Sequence, residues 1–238
     1  MELSGASALV TGAGKGIGRA VALALARAGA RVTAVARTAS ELQALVGSIE
    51  AEGGRALAFP ADLRSAHAGA AAVEAAVDAH GRLQILVNNA GLGAFAPLAE
   101  TSDETWDAIV GTNLTAVFRL TRAALPHLCA GGGYVFMVSS LAGQNPIANM
   151  SAYCASKAAL DHLSACLMLE VRDRGVRVTV IAPGSVDTGF SGMPRPDDTS
   201  WMLRAEDVAS TVIDLLGSRD GAHLSRVELR PASPKKRV

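Results

Sequence analysis

Short runs of β-branched and aliphatic residues alternate along this chain with longer Ala- and Leu-rich stretches. The short runs fall at residues 6–11, 31–36, 56–60, 85–88, 134–139, 176–182 and 225–230. They carry no polar alternation, as in Ile85-Leu86-Val87 and Val178-Thr179-Val180-Ile181. Continuous apolar runs of this length predict strands of a parallel sheet covered on both faces. Between them, amphipathic stretches at 17–28, 39–52, 65–80, 152–174 and 205–216 predict helices, with Gly29, Gly53, Gly81, Gly131 and Gly175 placed to stop them. Strand and helix in alternation build βαβ units, so the predicted class is α/β with a doubly wound, mostly parallel sheet of seven strands and helices on both faces.

Composition narrows this picture. The chain has 238 residues, half of them hydrophobic and 18% charged, which predicts one folded domain over 1–238. Lys and Arg number 22, as do Asp and Glu, so no global field attracts nucleic acid or an anionic membrane. Neither is an expected partner. The start, Met1-Glu2-Leu3-Ser4-Gly5, lacks a basic leader, and no apolar stretch reaches membrane-span length. A cytoplasmic location is expected. Cys129, Cys154 and Cys166 are widely spaced without metal-ligand or disulfide patterning, so they read as reduced packing residues and no metal is expected. Two Pro-rich places stand out. One, 193–196, lies within a loop at 189–203 that is placed to act as a substrate lid. The other opens a tail at 231–238, expected to be flexible, that runs into Lys235-Lys236-Arg237.

The chemistry begins after the first strand, at Thr11-Gly12-Ala13-Gly14-Lys15-Gly16-Ile17-Gly18. A glycine-rich turn from strand to helix brings unpaired backbone N–H groups and the positive helix end close to a phosphate. The spacing fits Gly-x3-Gly-x-Gly at Gly12, Gly16 and Gly18, not the GxGxxG form. At the end of the second strand, where an acidic residue would accept the ribose hydroxyls of NAD, the chain has Ala36 and then Arg37. Arg37 and Lys15 together suit a 2′-phosphate, so the expected cofactor is NADP, as NADPH in the reducing direction.

Tyr153 and Lys157 are four apart in a helical stretch and share one face, while Ser140 follows a strand at the edge where ligands bind. Carbonyl reduction needs hydride on carbon and a proton on oxygen, and a phenol can supply the proton. A lysine ammonium about 4 Å away would lower the phenol's pKa toward neutrality. Ser140 would hold the substrate oxygen. Each of the three has an ordinary structural reading when taken alone; their coincidence with the glycine loop is what points to catalysis.

On these residues the chain resembles the short-chain dehydrogenase/reductase family over nearly its whole length. Thr-Gly-x3-Gly-x-Gly is Thr11 to Gly18, Asn-Asn-Ala-Gly is Asn88 to Gly91, Ser-x12-Tyr-x3-Lys is Ser140, Tyr153 and Lys157, and Pro-Gly-x-Val-x-Thr is Pro183 to Thr188. The resemblance implies a single Rossmann-type domain. It implies that Asp62 and Leu63 flank the adenine, and that Asn89, Ala90 and Gly91 pack along the cofactor. It also implies that Pro183, Gly184, Val186 and Thr188 surround the nicotinamide and its carboxamide. Asn113 matches a fourth catalytic residue, which in the family positions a water for a proton relay through Lys157.

The departures bear on assembly and substrate. Many members end in a glycine-rich segment that helps to build tetramers, whereas this chain ends Leu229-Arg230-Pro231-Ala232-Ser233-Pro234 before its basic tail. The helices after Asp103 and around Tyr153 still resemble the family's dimer bundle, so a homo-oligomer is expected, two copies before four. Leu92, Phe95, Leu141, Phe190 and Met193 are expected pocket walls and favour an apolar ketone or aldehyde substrate over a sugar. The alternative within the enzyme class is a 3-oxoacyl carrier-protein reductase, although the segment at 127–133 lacks a basic cluster for an acidic carrier. From another class, a non-catalytic NADP-sensing protein would be signalled by loss of Tyr153 or Lys157, and both are present.

Overall fold

The computed structural model describes residues 1–190, 197–219 and 221–233. Seven strands form one sheet: β1 (Ser7–Thr11), β2 (Arg31–Ala36), β3 (Arg55–Pro60), β4 (Ile85–Asn88), β5 (Gly133–Val138), β6 (Val176–Pro183) and β7 (Arg226–Leu229). Their order is β3-β2-β1-β4-β5-β6-β7, and every pairing is parallel. Successive side chains on a strand point to opposite faces, and both faces here are apolar. In β1, Ala8 and Val10 pack into the layer holding α1 (Gly16–Arg27), α2 (Ala39–Ala51) and α7 (Ala205–Leu216). Leu9 packs into the opposite layer, with α3 (Ala68–His80), α5 (Ala116–Cys129) and α6 (Ser151–Val171). That double burial explains the absence of polar alternation in the strands.

A further helix, α4 (Asp103–Val110), is joined to α5 through a π-helical turn at Gly111–Thr115. An uninterrupted α-periodicity does not reveal such a turn, which inserts one residue into the ladder. Two element ends also differ from expectation. The third helix begins at Ala68 and not at 65 because Asp62 organises a turn first, accepting from the Arg64 backbone N–H (3.0 Å) on its carboxylate and from the Ser65 N–H (3.0 Å) on its carbonyl. The left-handed residue before β5 is Gly132 (φ 74°), not Gly131, whereas Gly29, Gly53, Gly81 and Gly175 all have positive φ.

The strand order reverses direction between β1 and β4, so the connections from these two strands leave on opposite sides. A crevice opens there at the carboxyl ends of the strands, which is where an open α/β sheet binds its ligand.

Candidate functional site

The floor of the crevice is stapled by two side chains. Thr11 Oγ1 donates to the Val87 carbonyl (3.2 Å) and accepts from the backbone N–H groups of Asn89 (2.9 Å) and Ala90 (3.0 Å). Asn89 Nδ2 returns a bond to the Thr11 carbonyl (2.8 Å). The ends of β1 and β4 are thereby locked, and the glycine loop leaves from a fixed point. Gly12 and Gly16 turn with φ of 65° and 56°, conformations that side-chain-bearing residues rarely adopt. The helix α1 starts with no side-chain cap at Lys15, so the first backbone N–H groups keep their donor capacity toward the crevice. A bare helix end framed by glycines fits the phosphates of a dinucleotide.

The cleft has a volume of about 640 Å³. Gly12, Lys15, Gly16, Ile17, Arg37, Asp62, Leu63, Asn89, Ala90, Gly91, Pro183, Gly184, Val186 and Thr188 all line it. Gly18 lies beneath the loop instead: a Cβ there would strike the Gly12 carbonyl and the Asn89 amide, so its role is close packing of helix on strand. Two charged neighbours were not anticipated. Glu41 of α2 lies against Gly14, and Arg64 forks onto Asp62 with Nε at 3.1 Å and Nη2 at 2.6 Å. The Arg64 guanidinium, with a smaller contribution from Arg37, holds the Asp62 carboxyl below its ordinary range.

At the other end of the cleft the structure brings together Ser140, Tyr153 and Lys157. Lys157 is buried and donates from Nζ to the Val138 carbonyl at the end of β5 (2.8 Å). Burial lowers its pKa to about 8, opposed by the negative charge of Asp161 one turn further along α6. The ammonium stands 5.8 Å from the centre of the Tyr153 ring. The expected lowering of the phenol is not what the protein's own field produces. Burial pushes the Tyr153 phenol above its ordinary range, and a hydrogen bond with the Ser140 hydroxyl only partly offsets this. The Lys157 ammonium is aimed at the Val138 carbonyl. Ser140 also accepts from the Ala142 N–H (3.1 Å), which fixes its rotamer.

Asn113 is fully buried within the π-helical turn, and its side chain is already committed. Oδ1 accepts from the Leu92 N–H (2.8 Å), while Nδ2 donates to the Leu92 carbonyl (2.9 Å) and to Ser156 Oγ (3.0 Å). The side chain therefore pins the loop after β4 beside the lysine. A Cβ built on Gly91 would lie 3.6 Å from Asn113 Oδ1 and 3.8 Å from Lys157 Nζ.

Of the expected pocket walls, Leu92, Leu141 and Phe190 line the cleft. Tyr153 and Phe190 meet with ring centres 5.7 Å apart. Phe95 does not line it: the Ala96 N–H donates to the Asn149 carbonyl (2.8 Å), anchoring that loop, and Phe95 is left 46% exposed. Ile147 and Arg230 line the cleft without having been singled out in sequence, and Met193 lies outside the described residues. Among the described residues, no cluster of His, Cys, Asp and Glu could hold a metal, and no helix is long and apolar enough to cross a membrane.

A nucleotide groove running into a serine, tyrosine and lysine defines a dinucleotide-linked oxidoreductase of the doubly wound class. The family profile described as short chain dehydrogenase matches residues 6–198. D-erythrulose reductase of Gallus gallus is 36% identical over 232 residues, covering 92% of this chain and 91% of that protein. L-xylulose reductase of Bos taurus is likewise 36% identical, covering 92% of each. Among solved structures, a metagenomic short-chain oxidoreductase in complex with NADP superposes with a TM-score of 0.87 at 38% identity, covering 98% of this chain and 100% of that one. A short chain dehydrogenase from Burkholderia cenocepacia J2315, also in complex with NADP, gives 0.88 at 36% identity, covering 96% and 97%. The chain belongs to the short-chain dehydrogenase/reductase family and is an NADP-dependent oxidoreductase.

Proposed function

We propose that the protein reduces a ketone or aldehyde to an alcohol with NADPH, using Tyr153 as the acid. The observation that carries this reading is the convergence of Tyr153, Ser140 and buried Lys157 on one wall of the nucleotide cleft. When bound, the reduced nicotinamide supplies hydride to the carbonyl carbon. Ser140 Oγ donates a hydrogen bond to the carbonyl oxygen, and Tyr153 Oη gives it a proton as negative charge develops there. A phenol held above its ordinary pKa retains that proton at neutral pH, which suits the reducing direction. Lys157, charged below about pH 8, stabilises the phenolate that is left. Lys15 and Arg37 bind the 2′-phosphate, with Gly12, Gly16 and Ile17 around the pyrophosphate. Asp62 and Leu63 take the adenine, Asn89 to Gly91 the ribose side, and Pro183, Gly184, Val186 and Thr188 the nicotinamide.

The lid expected at 189–203 falls partly on residues 191–196, which lie outside the described residues; of the rest, Phe190, Trp201 and Met202 line the cleft, and the apolar walls of the substrate site are Leu92, Leu141 and Phe190. The relatives named for erythrulose and xylulose support a second, narrower reading, a small hydroxylated ketone. A homo-oligomer, first a dimer, would cover Trp106 of α4, Phe118 of α5 and Leu169 of α6, which are 40%, 44% and 59% exposed. The assembly is cytoplasmic. The direct test is NADPH oxidation by the wild-type protein across neutral ketones, aldehydes, ketoses and a 3-oxoacyl thioester. Turnover of simple carbonyls is expected. Turnover confined to the thioester would replace this reading with the carrier-protein one, and none at all would favour a cofactor sensor.

A further inference from the structure

The charged side chains of the cleft are unevenly placed. Lys15, Arg37, Glu41, Asp62 and Arg64 gather at the adenosine end, around the carboxyl ends of β2 and β3. Arg230 lines the cleft from the opposite side, just past the end of β7. Five strand spacings separate β2 from β7, about 24 Å at about 4.8 Å each, so Arg230 cannot share the 2′-phosphate with Arg37. Its surroundings belong to the reacting end. The Gly184 N–H donates to the Leu229 carbonyl (2.8 Å), and a Cβ on Gly184 would lie 3.2 Å from Leu141 and 3.3 Å from Pro231. Leu141 follows Ser140 directly. The residues on either side of Arg230, Leu229 and Pro231, thus pack against Gly184 beside Leu141, next to the proposed places of the carbonyl and the nicotinamide.

The guanidinium is also free to change partner. Arg230 Nη2 donates to Glu228 Oε2 (3.0 Å), with its side chain 61% exposed. Glu228 has other donors: Arg226 Nε stands 3.4 Å from Oε1, and the Gln144 amide, in its hydrogen-bonded orientation, donates to the same oxygen at 3.1 Å. Arg226 is itself anchored by Nη1 to Asp161 Oδ2 (2.8 Å). When Arg230 turns to a ligand, Glu228 keeps Arg226 and Gln144, so no carboxylate is stranded. An exposed ion pair contributes little on its own, and exchanging it for a carboxylate in a partly desolvated cleft is favourable for a forked guanidinium. The acid on this side of the cleft, Asp187, accepts from Thr199 Oγ1 (2.9 Å).

We infer that Arg230 is a specificity-determining residue at the substrate end of the cleft, and that the substrate is an oxo acid whose carboxylate pairs with it. The inference rests on the carbonyl-reductase reading and narrows it. The test compares matched acids and esters, benzoylformate with methyl benzoylformate and levulinate with methyl levulinate, in wild type, Arg230→Met and Arg230→Lys. In wild type at least one acid should have a lower KM than its ester. Arg230→Met should raise the KM of that acid at least tenfold with kcat and the ester's KM unchanged, and Arg230→Lys should recover part of the loss. Esters reduced at least as well as both acids, or an acid-to-ester KM ratio that Arg230→Met leaves unchanged, would overturn the assignment while leaving the reductase reading intact. Failure of wild type on every carbonyl overturns both.

Discussion

The two ends of the cleft are built by different means. At the dinucleotide end, exposed backbone forms the glycine loop and side chains hold that backbone still: Thr11 and Asn89 lock two strand ends, and Gly12 and Gly16 adopt conformations other residues avoid. All of this lies within two short stretches of chain, 11–16 and 87–90. At the substrate end, side chains form the surface, and they come from five separate places: Leu92, Leu141, Ile147, Phe190 and Arg230. The first end tolerates almost no substitution, because a Cβ or a lost hydrogen bond moves backbone. The second can change residue by residue without disturbing the sheet, which suits it to the proposed role in substrate choice.

The comparison breaks if the dinucleotide end accepts bulk. In Gly18→Val the new Cβ meets the Gly12 carbonyl, which is backbone and cannot swing aside. We expect a loss of stability on the order of 3 kcal/mol and loss of NADPH binding, read by thermal denaturation and fluorescence titration. Unchanged melting would remove the argument for close packing. The next effect concerns charge. Lys157 has its folded pKa lowered to about 8 from 10.5, so the unfolded chain holds more protons between those values and stability rises with pH across them. Below about pH 8 its burial costs on the order of 3 kcal/mol, partly recovered through the Val138 carbonyl. Lys157→Met should therefore gain stability relative to wild type at neutral pH, and lose that advantage as pH rises toward 10.5. A difference independent of pH, measured by melting of the cofactor-free protein, would contradict a buried ammonium.

Arg37→Ala sharpens the comparison further. NADPH affinity should weaken by about 1.5 to 3 kcal/mol while NADH affinity stays the same. Equal weakening for both nucleotides would mean that Arg37 is not reading the 2′-phosphate. The smallest effect is expected at Phe95. Because it is 46% exposed and outside the cleft, Phe95→Ala should change stability by less than about 0.5 kcal/mol and leave KM unaltered, whereas Ile147→Ala should shift KM for an apolar ketone.

The same contrast explains what could be read from sequence. The sheet, its flanking helices and the glycine loop were legible because they depend on periodicity and on residue types that geometry demands: apolar runs buried on both faces, and glycine at positive φ. Tyr153 and Lys157 were legible because helical spacing places both on one face. Arg230, Glu41 and Ile147 carried no local signal, since their places in the cleft follow from the end of β7, the first turn of α2 and the loop before α6. Phe95 misled because a large apolar residue near a motif looks like a wall until its loop is anchored elsewhere. The direction of the Tyr153 shift was not legible for a related reason: spacing gave the proximity of the lysine but not the depth of burial that raises the phenol.

The account stands on Tyr153 giving its proton to the substrate oxygen. The most direct measurement is the single-turnover rate of NADPH oxidation by Tyr153→Phe with a carbonyl that the wild type reduces, alongside NADPH affinity in the same preparation. A fall of about 10² to 10⁴-fold in rate, with affinity unchanged, is the predicted result. A variant that binds NADPH normally and reduces the carbonyl at the wild-type rate would contradict it.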